Sequence, residues 1–207
     1  KIAVFSTLSC TALLFTALLT GCNEQKSTTT EVAAPAAPPT LGVSPQTFTD
    51  SLFAVMNSDR TNYTKLIIQR LGPNKGNFIK PNEHWEDMDE GAPLPAQMFR
   101  YGAEGVAEMT DDFTYSLQST WCINKQNCPS TDIEKEGLEY ISANPGENFY
   151  SEEELGGVKY FTAVYPDVAV SPACTTCHNE HKDTPRTDFK IGDVMGGVVI
   201  RVPVKAL

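Results

Sequence analysis

Apolar residues recur at helical spacing from about residue 44 onward. Ser44-Pro45 is typical of a helix start, because serine can cap the first amides and proline fits the first turn. A predicted apolar face follows at Phe48, Leu52, Phe53, Met56, Tyr63, Leu66, Ile67 and Leu71. Since Gly72-Pro73 is typical of a helix end, the pattern predicts one long helix over residues 45–71.

Local signals predict two further helices. Pro93-Leu94-Pro95-Ala96 indicates the start of a helix that extends to about Met109. Thr131 and Glu134 have the spacing of a capping box, which predicts a short helix to about Ala143. The segment 73–92 is rich in Gly, Pro, Asn and acidic residues and is therefore predicted to be a loop.

The second half of the chain carries strand patterns. Alternating side chains from Phe113 to Ser119 indicate a half-buried strand. Gly156-Gly157 can form the turn of a hairpin between the segments 148–155 and 158–165. The apolar alternation of residues 196–204 predicts a last strand. Because helices come first and antiparallel strands follow, the order predicts an α+β fold.

The N-terminal residues have the pattern of an export signal. Residues 1–21 contain an apolar stretch that is too short for a convincing membrane span and suits a signal peptide. Leu19-Thr20-Gly21-Cys22 resembles the bacterial lipobox, in which Cys22 would become the acylated N-terminus. The polar, proline-rich composition of 22–44 predicts a lipidated flexible tether. We therefore expect one folded domain over residues 45–207, exported and lipid-anchored to the bacterial envelope; the alternative is an ordinary secretory signal with an incidental cysteine.

The charge of the chain narrows the classes of partner. The 207 residues carry 16 Lys and Arg against 26 Asp and Glu, a net charge of −10. Such an acidic chain is a poor partner for nucleic acid or for an anionic surface. The charge can steer the protein toward a basic redox partner, or it can simply keep the surface soluble.

The most specific chemical motif is Cys174-Thr175-Thr176-Cys177-His178. C-x-x-C-H is the attachment signature of c-type haem, in which both thiols add to the vinyl groups and the histidine binds iron. The motif therefore predicts one covalent haem c, with thioethers at Cys174 and Cys177 and His178 as the proximal ligand. The alternatives are a redox dithiol, half of a zinc site, or coincidence. We expect the motif in a loop after Ser171-Pro172, unlike a thioredoxin-type pair at a helix start.

The other two cysteines of the domain, Cys122 and Cys128, lack the spacing of a second zinc ligand pair. In an oxidising compartment the expected state is a disulfide that closes a tight loop. Alternatively, one of them is a thiolate ligand to iron, or the pair is a redox switch.

The sixth position of the iron has two candidates. His84 is far enough from the motif in sequence to approach the distal side, and Met98 is a second possible ligand; an open site would permit binding of a small gas. Arg186 and Lys190 are candidates for contacts to the haem propionates. Each has a simpler alternative: a solvated histidine, a core methionine, and exposed loop charges.

Several longer strings carry a family resemblance. The segment from Leu94 to Val204 resembles a bacterial family of exported haem-binding domains with a PAS-like fold, catalogued as a domain of unknown function. The matching strings are Pro93–Arg100, Trp121 with Ile123-Asn124, Asn127 with Pro129, Tyr165–Val170, Cys177–His181 and Gly192–Val198. The resemblance implies a covalent haem on a sheet-and-helix fold. Members of that family occur alone or as extracytoplasmic input domains of kinases and cyclases.

Together these features predict a PAS-like α+β domain in which N-terminal helices precede a mostly antiparallel sheet carrying one covalent haem. The expected function is that of a monohaem c-type cytochrome lipoprotein, which transfers one electron at the cell envelope to or from a redox partner protein. The main alternative is a haem-based sensor of a gas or of redox state that acts through a partner protein. A peroxidase-like enzyme is a third class.

Overall fold

The computed structural model describes residues 42–72, 76 and 78–204. The predicted signal peptide, Cys22 and the tether before residue 42 lie outside the described residues. Among the helices that are described, none combines the length and the apolar character needed to cross a bilayer.

The first helical segment runs without a break from Pro45 to Leu71 and changes geometry on the way. Helix α1 (Pro45–Asn62) is followed by a π-helical turn (Tyr63–Ile68) and by the short helix α2 (Gln69–Leu71). The Ser44 hydroxyl accepts a hydrogen bond from the amide of Thr47, as a helix cap does. The predicted bounds agree with the structure, but no sequence signal indicated the π-helical turn.

Three more helices follow. They are α3 (Pro95–Met109), α4 (Asp132–Ala143) and α5 (Pro172–Glu180). Helix α4 begins with the predicted capping box, because Thr131 accepts from the Glu134 amide while the Glu134 carboxylate accepts from the Thr131 amide. The predicted loop 73–92 contains a two-residue parallel ladder between β1 (Lys80–Pro81) and β2 (Gly91–Ala92).

The main sheet has four antiparallel strands. They are β3 (Thr114–Gln118), β4 (Phe149–Leu155), β5 (Val158–Val168) and β6 (Val194–Pro203), in the spatial order β3-β6-β5-β4. The hairpin β4–β5 turns at Gly156 and Gly157, whose φ values of 60° and 80° suit glycine. The predicted α+β order, with N-terminal helices before an antiparallel sheet, is confirmed.

Helices cover both faces of the sheet. On one face, α1 and α3 pack on β5 and β6, where Phe53 of α1 stacks on Tyr165 with ring centroids 4.3 Å apart. On the other face, Leu138 and Ile141 of α4 pack on the same two strands. The α4 contact is close, since a Cβ on Gly197 would lie 2.8 Å from the Ile141 side chain.

A buried network of charges ties α4 to the sheet. Arg201 of β6 donates to Glu134 and to Glu153, with both N–O distances 2.6 Å. Burial disfavours the charged form of Glu134, but hydrogen bonds from Gln118, Ser130, Arg201 and Thr131 outweigh it and lower the pKa of Glu134 to about 2. Glu134 is therefore a carboxylate at neutral pH and fixes the start of α4 against β6.

Candidate functional site

The C-x-x-C-H motif lies on helix α5, so its predicted placement in a loop is wrong. Ser171 caps this helix by accepting from the amide of Ala173, and Pro172 occupies the first turn. The pair of thiols thus lies near a helix start after strand β5, as a thioredoxin-type pair would. The position of the motif therefore no longer distinguishes it from a redox dithiol.

The pKa of Cys177 offers another comparison with redox dithiols. Among the described residues, Cys174 and Cys177 carry free thiols. Although Cys177 is exposed as a residue, partial desolvation of its sulfur beside the cavity raises its pKa, and the nearby carboxylate of Glu83 raises it further. Reactive dithiol cysteines instead have lowered pKa values that yield the thiolate nucleophile. The raised pKa of Cys177 therefore favours its thiol form over the thiolate.

His178 follows the second cysteine on the same helix. Its ring meets Phe189 edge to face, with centroids 6.0 Å apart. Burial is the largest influence on the ring and lowers the pKa of His178 below its ordinary value. A lowered pKa keeps the imidazole neutral at pH 7, which is the form that binds a metal.

The three motif residues share one cavity of about 820 Å³. Its other sides come from the α1–π segment at Arg60, Thr64 and Ile68, from β3, and from the start of α3. Ligand pockets in proteins commonly measure about 300–1,000 Å³. The cavity is thus large enough for a ligand of porphyrin size beside both thiols and the imidazole.

A partly buried ion pair also borders this cavity. Arg60 of α1 donates to Asp167 of β5 through Nε at 3.0 Å and through Nη2 at 2.7 Å. The third nitrogen, Nη1, is shielded from solvent and has no acceptor among the described residues. Neither residue belonged to the sequence-predicted site, although Arg60 lies on the predicted first helix.

The two candidates for the distal ligand are placed differently. His84 borders the cavity, but its side chain is 70% exposed and its Nε2 lies 3.4 Å from Glu83. Met98 is 44% exposed on α3 and is not among the residues that line the cavity. Of the two, only His84 is near the motif.

The structure does not bring the two candidates for propionate contacts to the cavity lining. The Arg186 guanidinium packs over the rings of Trp121 and Phe189, 4.8 and 4.2 Å from their centroids, and donates to Asp188. Lys190 is exposed, and its backbone amide donates to Asp193. These interactions occupy the Arg186 head group away from the cavity.

Cys122 and Cys128 form a disulfide with their Cα atoms 5.3 Å apart. Cys122 is buried and borders the cavity, together with Trp121 and Ile123. As members of a disulfide, neither cysteine offers a thiolate to an iron. The bond instead closes the loop that forms one side of the cavity.

His181 links the end of α5 to the loop before α3. Its Nε2 lies 3.1 Å from the Glu83 carboxylate, and this hydrogen bond is the main cause that lowers the pKa of Glu83. The sequence-predicted site did not include His181. Its contact with Glu83 joins residues that are 98 positions apart.

Comparison with known proteins identifies the class of domain. The model of the Tll0287-like family, described as Tll0287, matches residues 44–203. The chain therefore belongs to the Tll0287-like family, and the predicted family resemblance is confirmed. Among solved structures, the chain is similar to the crystal structure of the cyanobacterial heme-protein Tll0287, with 14% identity and a TM-score of 0.49 over 78% of this chain and 97% of that chain. No curated protein matches the chain.

Proposed function

We propose that this protein is a monohaem c-type cytochrome that transfers single electrons. The observation that carries the proposal is the donor set of α5: two free thiols and a half-buried imidazole that border one cavity of about 820 Å³. These are the three groups that a covalent haem c requires. The cyanobacterial protein Tll0287, which gives the family its name, is a heme-protein, and this supports the same cofactor.

The residues present fit a porphyrin. Cys174 and Cys177 would form the thioethers, and His178 would bind the iron. When bound, the haem supplies one-electron exchange between ferric and ferrous iron. The chain itself contributes a helix that fixes the three donors, while Phe189 and Trp121 pack against the motif helix and reduce the access of water to it.

Exposure at the motif favours electron transfer. Cys177 is exposed, so the edge of a porphyrin bonded there would lie near the surface, where a redox partner can approach. The acidic chain would steer toward a basic partner surface. We further propose, from the sequence pattern alone, that the protein is exported and anchored to the envelope by lipid on Cys22.

One observation favours a sensor as the second candidate. Met98 lies outside the cavity lining and His84 is largely exposed, so neither sequence candidate is fixed as a buried distal ligand. A haem with an open position binds small gases. In that case the domain would report gas binding or redox state to a partner protein.

The first experiment asks whether haem is attached. The chain is expressed in bacteria that mature c-type cytochromes, beside a Cys174→Ala/Cys177→Ala variant. We expect a Soret band and a mass increase of one haem in the wild type only. A wild-type protein with neither signal would refute the proposal.

Carbon monoxide separates the carrier from the sensor. A reduced protein whose spectrum does not change with carbon monoxide has a firmly ligated iron, as expected for electron transfer. A rapid spectral shift would favour the sensor. Repeating the measurement with His84→Ala tests whether His84 supplies the distal ligand, because only then would the variant bind carbon monoxide when the wild type does not.

A further inference from the structure

Two departures from regular secondary structure meet at the Arg60–Asp167 pair. Arg60 lies in the last turn of α1, just before the π-helical turn. Its carbonyl oxygen accepts from the Tyr63 amide and from the Thr64 hydroxyl, the latter at 2.8 Å. Short π-helical turns within α-helices are frequent at functional sites.

The second irregularity is in the sheet. The register of β5 against β6 shifts between Asp167 and Val168, since Asp167 pairs with Gly196 and Val168 with Val194. A bulge of this kind re-aims a side chain and is common next to active sites. Asp167 is the last residue before the shift and lies on the same face of β5 as Ala163 and Tyr165, where its carboxylate meets Arg60 across 107 positions of sequence.

The stability of the fold does not by itself account for the Arg60–Asp167 pair. Both side chains are 17% exposed, and the two hydrogen bonds use Nε and Nη2 of Arg60. Nη1 stays buried without an acceptor, which costs free energy. Apolar side chains often replace a buried ion pair without loss of stability, so stability alone does not explain a pair with an unsatisfied donor.

Both charges act on the proposed iron ligand. Arg60 and Asp167 border the same cavity as Cys174 and His178. An iron bound to His178 in this cavity would feel the opposing fields of the Arg60 cation and the Asp167 anion, which low-dielectric surroundings screen only weakly.

We propose that the Arg60–Asp167 pair sets the reduction potential of an iron bound to His178. This role rests on the proposed haem function. Reduction adds one electron, taken from the redox partner, to ferric iron and makes it ferrous without any other bond change. Since the iron loses one unit of positive charge, the Arg60 cation favours the ferrous state and the Asp167 anion favours the ferric state.

The test is a redox titration of haem-loaded variants, with the haem spectrum as the readout. We expect Arg60→Met to lower the potential and Asp167→Asn to raise it. Each shift should change the ferrous-to-ferric ratio at a fixed potential by about tenfold, which is about 59 mV for a one-electron couple. The double variant removes both charges and should return the ratio to within about twofold of wild type, on the same scale.

Two controls separate charge from structure. Arg60→Lys keeps the cation but loses the paired hydrogen bonds, so the potential should stay near wild type while the melting temperature falls. Arg201→Met breaks a buried ion pair on the opposite face of the sheet and should lower stability without moving the potential. General loosening of the fold would instead shift both single variants in one direction.

Some results of the redox titration would refute the proposed role of the Arg60–Asp167 pair. Shifts of the same sign in Arg60→Met and Asp167→Asn, or no shift in either, would refute it in a haem-loaded protein. If Arg60→Met does not fold, Asp167→Asn decides alone, because asparagine is isosteric and still accepts from Arg60. A wild-type protein without haem would refute the proposed function together with this role.

Discussion

Each face of the sheet carries a buried arginine that pairs with carboxylates, but the two pairs are built differently. On the α4 face, Arg201 reaches two carboxylates, those of Glu134 and Glu153. Gln118 also donates to Glu134 in this network, and its Oε1 is buried without a partner among the described residues. On the α1 face, Arg60 pairs with Asp167 alone and leaves Nη1 unsatisfied beside a large cavity.

We interpret the Arg201 network as structural and the Arg60–Asp167 pair as functional. A hydrogen-bonded network of buried charges can rigidify a core and fix one arrangement of helix and sheet. The α4 face is correspondingly close-packed, because Gly197 leaves no space for a Cβ beneath Leu138 and Ile141. The α1 face opens toward the C-x-x-C-H helix, where a charged pair that borders the cavity can act on a bound ligand.

Replacing Arg201 is the strongest test that the network on the α4 face is structural. In Arg201→Met, the buried carboxylates of Glu134 and Glu153 lose their cation, so we expect the free energy of unfolding to fall by about 3–5 kcal/mol. Urea denaturation of the purified protein measures this change.

An exposed ion pair on α4 provides the control. Lys135 lies 3.3 Å from Asp132 at the surface, so Lys135→Met should cost less than about 1 kcal/mol. If Arg201→Met were no more destabilising than Lys135→Met, the network on the α4 face would not be structural.

The pH dependence of stability gives the next largest effect. The pKa of Glu134 is lowered from 4.5 to about 2 in the folded protein, so its carboxylate stabilises the fold fully above pH 4.5. That contribution, about 3 kcal/mol at most, is lost as the pH falls from 4.5 toward 2.

Glu134→Gln is the variant that isolates this contribution. Its unfolding free energy should be lower than that of the wild type at pH 6, and the difference between the two proteins should shrink toward pH 2. Denaturation curves at a series of pH values measure that difference. A difference that stayed constant with pH would assign the stabilisation to something other than ionisation of Glu134.

Local signals predicted most of the fold. The capping box at Thr131 and the apolar face of α1 each depend on residues close in sequence, and the structure has the expected helices there. Helix α5 was missed although Ser171-Pro172 repeats the start signal of Ser44-Pro45. Its nine residues show no apolar repeat, so only the cap indicated a helix.

The site was only partly predictable for a different reason. Cys174, Cys177 and His178 form a local motif whose spacing is itself the signal. The Arg60–Asp167 pair joins residues 107 positions apart, and it adjoins a π-helical turn and a bulge that no sequence pattern indicated. Conversely, Arg186 follows the motif closely in sequence, but aromatic rings and Asp188 hold its head group elsewhere.

Removing the disulfide beside the cavity is the variant for which we expect the smallest loss of stability. It closes a loop of sequence separation 6. A loop this short constrains the unfolded chain by only about 2 kcal/mol. We expect Cys122→Ala/Cys128→Ala to lose about that much unfolding free energy by urea denaturation.

The haem potential of the same variant decides what the disulfide does at the cavity. A structural disulfide carries no net charge, so removing it should leave the potential of haem-loaded protein unchanged, whereas Asp167→Asn should shift it. A potential that moved with the disulfide would instead support the redox-switch alternative for Cys122 and Cys128. The α1 face would then contain two electrostatic or redox elements beside the iron ligand, and the Arg60–Asp167 pair would share control of the potential with the loop.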